Sequence, residues 1–323
     1  MPVVEFSLMA AAPSFDVATR TDALAKSMKI YNGFGTTSVF EGHGAAADVM
    51  TAYQRINAMG RQTVQATLAF RPAWHDVTGA DIADMMSSWV KWLSGQGIGD
   101  DWLRVQGFYS EADGSVENRL RRSGGNQTGW AGFNYGSAVP PDKLKLLLVE
   151  AARNGIRTIA VHPYMLDIFR EVDREASIAG QRWALGHIIS LTADDIAAIR
   201  DLKLLVTTHT TGFLWKRGLQ QLERLGPERE NEIVPIRALL DAGVRVSLGT
   251  DNVPATLFYS AWHAITRTTR DIDRKIATEQ ALSREQALRC MTMGGAYLYS
   301  RKTSRALWSR ASWPIRPCYR MTR

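Results

Sequence analysis

Cysteine is scarce in this 323-residue sequence: only Cys290 and Cys318 occur. Two thiols cannot make a disulfide framework, and these lack the paired spacing of a structural zinc site. Nothing therefore points to an oxidising compartment, and Cys290 reads as a small core residue. No apolar run approaches the ~20 residues that a membrane helix needs, which argues against a membrane protein. The opening stretch MPVVEFSLMAAAPSF carries Glu5 and has no basic leader, so it is read as something other than a signal peptide, and a cytoplasmic location is expected.

Acidic residues are absent from 301–323, where seven basic residues fall (Arg301, Lys302, Arg305, Arg310, Arg316, Arg320, Arg323). The first 300 residues hold 32 basic and 32 acidic side chains, so the net charge of +7 belongs wholly to this tail. A basic body suited to nucleic acid is thereby excluded, and only the tail keeps that reading open. Apolar residues make up 45% and charged residues 22%, which places the rest among ordinary globular proteins.

What the sequence does contain is a repeated unit. Four times a helical stretch reaches a glycine and enters a β-branched run: at Gly35, Gly60, Gly155 and Gly243. Glycine suits the position just past a helix end because it takes a left-handed backbone without steric cost. The following runs, such as TIAV and VRVSL, are apolar on both faces, as a buried parallel sheet requires. Adding LRVQGFYS, RWALGH and LLVTTH predicts seven strands, near 36–41, 63–70, 103–110, 157–162, 182–187, 204–209 and 245–250. Thr192 with Asp195, and Ser283 with Gln286, have capping-box spacing. Pro140-Pro141 is suited to open the helix DKLKLLLVEAAR. The stretch 114–139, rich in Gly, Asn and Ser, reads as a long loop.

In α/β barrels chemistry sits at the C-terminal ends of the strands. Here those ends carry His162, His187, His209 and Asp251, and three of the six histidines end consecutive predicted strands. Imidazole and carboxylate are the donors a hydrolytic metal ion requires. The residues alone leave two readings open: a metal site, or hydrogen-bonded strand ends with Gly249-Thr250-Asp251-Asn252 as a capping turn.

RALLDAGVRVSLGTDNVPA resembles the eighth-strand region of the amidohydrolase superfamily, in particular amidohydrolase family 3. DDWLRVQGFYSEADGS, EAARNGIRTIAVH, RWALGHIISLTADDIAAIRDLKLLV and LSREQALRCMTMGGAYL extend the resemblance, in order, across most of residues 30–299. It implies an α/β fold of the (β/α)8 TIM-barrel type. It implies a divalent metal, zinc foremost, and hydrolysis of non-peptide C–N bonds in small amide-type substrates through a metal-activated water. By the same resemblance His162 and His187 are metal ligands, and Asp251 is ligand and general base. His209 falls at the seventh strand on the substrate side.

The departures shape the expectation. The His-x-His that ends the family's first strand has no counterpart. The position of the family's metal-bridging lysine holds Tyr109, with Glu111 two residues on and on the same strand face; a carboxylate there would be an auxiliary oxygen donor. After Tyr299 the family's β-sandwich sequence gives way to the basic segment. The expected architecture is thus an incomplete barrel of about seven strands over 1–300, lacking the first strand and the sandwich, with 301–323 as a disordered tail. Two rival readings follow: a catalytically silent fragment, and nucleic-acid binding through the tail. A homo-oligomer is compatible with either.

Overall fold

The computed structural model describes residues 15–72, 79–112, 138–251, 254–271 and 274–299. Seven strands pair in parallel in chain order: β1 (Ser38–Ala45), β2 (Gln65–Phe70), β3 (Leu103–Tyr109), β4 (Thr158–Ala160), β5 (Ala184–Leu185), β6 (Leu205–Thr208) and β7 (Arg245–Leu248). Each lies on one of the seven predicted runs. The short segment Ile98–Gly99 adds an antiparallel pairing to β3. The sheet curls into a half-barrel, an incomplete (β/α)8 barrel, and β1 and β7 are its two ends.

Helices cover the outer face for the reason the sequence pattern gives. In α1 (Pro141–Arg153) the buried residues Leu144, Leu147, Leu148 and Ala151 recur at helical spacing on one side. In α2 (Met165–Glu175) Met165, Phe169 and Val172 do the same. Each large apolar side chain of this kind contributes about 1.5–3 kcal/mol by leaving water, and most join one core cluster running from Ile82 to Cys290. The local signals hold as well. Gly35, Gly60, Gly155 and Gly243 all have positive φ, between 63° and 80°. Thr192 and Ser283 form reciprocal capping boxes with Asp195 and Gln286, and Pro140 and Pro141 open α1. Cys290 is buried and free among the described residues, and burial lifts its thiol to about 11.

The inner face of the half-barrel is closed from the far end of the described chain. Leu298, the last residue of the short helix α3 (Gly295–Leu298), packs among Ala69, Ile159, Ala184 and Leu205, one residue from each of four strands. The stretch read as a loop lies outside the described residues apart from Ala138–Val139, which pairs with Glu111–Ala112. The basic segment 301–323, with Cys318, also lies outside them. Among the described residues no helix is long and apolar enough to cross a membrane.

Candidate metal centre

The strand ends converge as parallel pairing dictates. One ligand atom each from His187 after β5, His209 after β6 and Asp251 after β7 lie within 4.8 Å of one another. His187 and Asp251 both hold a left-handed backbone, with φ of 51° and 57°. Such conformations are costly for non-glycine residues and are kept where the surroundings fix a side chain for use. Burial, followed by the neighbouring His209 ring, pushes His187 down to about 4, so it is neutral at pH 7. The His209 ring outweighs burial at Asp251 and holds its carboxyl below the ordinary value, so it is ionised. Neutral imidazole beside ionised carboxylate is the donor chemistry of a divalent ion.

His209 has a distinct setting. Its Nε2 lies 3.0 Å from Asp251 Oδ2 but out of line, and among the described residues this buried nitrogen has no hydrogen-bond partner. Its Nδ1 accepts from the Gly212 N–H at 3.3 Å. A ring that accepts at Nδ1 carries its proton at Nε2 when neutral. Metal-bound histidines instead donate from the nitrogen away from the metal. The arrangement therefore suits His209 to hold a proton next to Asp251.

His162 stands on the adjoining strand end, its ring 6.1 Å from that of His187 and stacked on Tyr164 at 5.3 Å. Its Nε2 lies 3.7 Å from Glu111 Oε2, and it is not within the 4.8 Å group. Glu111 is deeply buried. It accepts from Tyr109 Oη at 2.9 Å and from Arg71 Nη2 at 3.1 Å, while the Arg71 guanidinium lies 4.3 Å from the Tyr109 ring. Burial raises the Glu111 carboxyl, but His162, Arg71 and Tyr109 together outweigh it and bring it to about 2. Tyr109 and Glu111 do share one face, and their partners make them an anchor beneath His162.

Two residues near the centre were not singled out from the sequence. Between Glu41, opposite Leu68, and Ala45, opposite Phe70, β1 bulges away from β2. The bulge carries His43 to within 5.5 Å of the His187 ring and 5.1 Å of the Tyr109 ring. Arg71 Nη1 donates to the His43 carbonyl at 2.8 Å and pins it. Burial, then Arg71, depress the His43 imidazole. Burial lifts the Glu41 carboxyl to about 7 despite the His43 N–H that it accepts. Glu41 and His43 share a cleft of about 380 Å³ with His187, His209 and Asp251. It opens between the two ends of the sheet, and its volume suits a small molecule.

The Amidohydrolase family pattern matches residues 5–306. The chain belongs to this family. Its fold is similar to that of an uncharacterized metal-dependent hydrolase from Pyrococcus horikoshii OT3, at 15% identity and a TM-score of 0.63, covering 88% of this chain and 56% of that one. Atrazine chlorohydrolase from Arthrobacter aurescens TC1, complexed with zinc, is similar at 14% identity and a TM-score of 0.53, covering 89% and 61%. An adenosine deaminase from Xanthomonas campestris with bound zinc gives 15%, 0.54, and 90% and 58%. This amidohydrolase-family chain thus spans less than two thirds of the length of each. No curated protein matches it.

Two further departures from the family resemblance can be located in the structure. Gly186 stands where glutamate is usual, and a Cβ there would lie 3.3 Å from both Thr207 and Val161, which leaves no room for a longer side chain without movement. Asp167, one place late against the pattern, is exposed and pairs with Arg170 at 2.8 Å.

Proposed function

We propose that this chain is a metal-dependent hydrolase acting on non-peptide C–N bonds of small amide-type molecules. The observation that carries the reading is the meeting of His187, His209 and Asp251 within 4.8 Å in the cleft. Zinc is the first choice of ion, since zinc is bound in the atrazine chlorohydrolase and adenosine deaminase structures. His187 and Asp251 of that group would hold it, with His162, which stands outside the group, as the further ligand that the family resemblance implies. A bound ion of this kind lowers the pKa of water and polarises a carbonyl.

The remaining work belongs to the side chains. Asp251, kept ionised by His209, takes a proton at a carboxylate oxygen. Asp251 then passes the proton it has taken from water to the leaving nitrogen, which departs as the amine. The single Nε2–H of neutral His209, 3.0 Å from that carboxylate, is placed to donate a hydrogen bond to charge developing beside it. Glu111 orients His162 rather than serving as a spare oxygen donor, because Arg71 and Tyr109 already occupy its oxygens.

Elemental analysis and an amide screen of purified variants test this. His187→Ala, Asp251→Ala and His162→Ala should each lose bound metal. His209→Ala should keep it while the rate falls by about 10²-fold, as loss of a hydrogen-bond donor to developing charge does. Wild-type chain without stoichiometric metal would sink the proposal and favour a catalytically silent chain. Metal lost from His209→Ala but kept in His162→Ala would exchange the roles of those two residues.

A further inference from the structure

The cleft that holds the metal centre also holds a carboxylate that the proposed reaction does not use. Glu41 lies on β1, at one end of the sheet, and lines the cleft together with His187 and Asp251. Among the described residues it forms no ion pair. It accepts one hydrogen bond, from the His43 N–H to Oε1 at 3.3 Å, and its Oε2 has no partner among them. Arg71 is a cation that lowers Glu41, but only as the smallest of the named effects, and it is itself engaged by Glu111 and the His43 carbonyl.

The walls around Glu41 are of one character. No lysine or arginine is among the described residues that line the cleft, whereas Glu41 and Asp251 bring two carboxylates to it. Tyr31 and Tyr53 line it as well, and with Glu41 they are half-buried, so a ligand can reach all three. Burial raises both phenols, Glu41 adds to the rise in each, and Asp251 adds to it in Tyr31. The two rings therefore stand within reach of the Glu41 charge, and Tyr31 within reach of both carboxylates.

Aromatic faces attract cations, and a cleft walled by charge of one sign gathers ions of the other. A carboxylate without a counter-charge in such a place is costly, and burial lifts Glu41 to about 7. A cationic nitrogen group offsets that cost, because it brings the opposite charge and N–H donors together.

We propose that the cleft selects small molecules that carry a cationic nitrogen group (a protonated amine, amidinium or guanidinium), received by Glu41 beside Tyr31 and Tyr53. As a statement about substrate this rests on the hydrolase reading: Glu41 holds the cation while the C–N bond meets Asp251.

Calorimetric titration of the full-length chain, with zinc supplied, at about pH 8 where Glu41 is ionised, tests the choice. The probes are butylguanidinium and butylurea, which share one shape and differ in charge. The guanidinium is expected to bind about tenfold tighter or more in the wild type, the effect of one or two charge-assisted hydrogen bonds. Glu41→Gln keeps the side chain's size and its acceptor for the His43 N–H, and should bring the two affinities to within about threefold of each other. The wild-type comparison needs no variant, so the test stands should Glu41→Gln fail to fold. No binding of butylguanidinium, equal binding of the two probes, or a preference that survives Glu41→Gln unchanged would each overturn the proposal. Hydrolysis is read separately, as turnover of N-acetyl-1,4-diaminobutane against N-pentylacetamide. Turnover of neither with the preference intact would remove the hydrolase reading and leave the choice of cation standing. Equal turnover of both with equal probe binding would do the reverse.

Discussion

Arg71 Nη2 lies 3.1 Å from Glu111 Oε1, and the two side chains are only 0% and 2% exposed. The same guanidinium holds the carbonyl of His43 through its other arm. One residue thereby ties the bulge of β1 to the carboxylate beneath His162.

Removing the cation should therefore cost far more than a surface ion pair would. Arg71→Met leaves a buried carboxylate without its counter-charge, and we expect a loss of about 3–5 kcal/mol in denaturant unfolding. The double variant Arg71→Met/Glu111→Gln should recover part of that loss. A change below about 1 kcal/mol in Arg71→Met would put the pair in the class of exposed salt bridges and refute its anchoring role.

Gly212 sets the position of the His209 ring. A Cβ at this position would lie 2.3 Å from His209 Cε1 and 2.7 Å from Nδ1. Gly212→Ala must displace the ring or shift the backbone, at a cost of about 1–3 kcal/mol. The hydrolytic rate should fall by about tenfold or more while bound metal stays at the wild-type level. An unchanged rate on any substrate found by the screen would detach His209 from the reaction.

Much of this architecture was legible because its signals are local. A glycine past a helix end, a capping box and a β-branched run each fix a few residues without help from elsewhere, and the seven strands follow from them. His187 and Asp251 were marked by their place at strand ends and by the resemblance. His43 was not, because it reaches the site only through a bulge pinned by Arg71, 28 residues away. Arg71 itself reads in sequence as a surface residue, and nothing local announces that it is buried. Glu41 ended the predicted first strand without being weighed, and its raised carboxyl depends on burial that only the folded cleft supplies.

His263 gives a pH dependence that is independent of the metal centre. It is 2% exposed, stacked near Trp215 and Tyr259, and burial pushes it to about 4 from 6.5. Between those values the unfolded chain binds a proton that the folded chain refuses. Stability is therefore full above pH 6.5 and is lost as the pH falls toward 4. His263→Phe should flatten this acid limb by up to about 1.4 kcal/mol per pH unit in denaturant melts taken across the window. An identical slope in the variant would show that the imidazole is not held neutral.

The seating of Leu298 among Ala69, Ile159, Ala184 and Leu205 also governs the order of events at birth. These four partners leave the ribosome at least 93 residues ahead of Leu298. Until that last turn emerges, these four residues lack the side chain that packs among them, and contacts of such long range form late. The interval is one in which a chaperone has something to hold, and synthesis halted short of residue 298 would leave that place unfilled and open to aggregation.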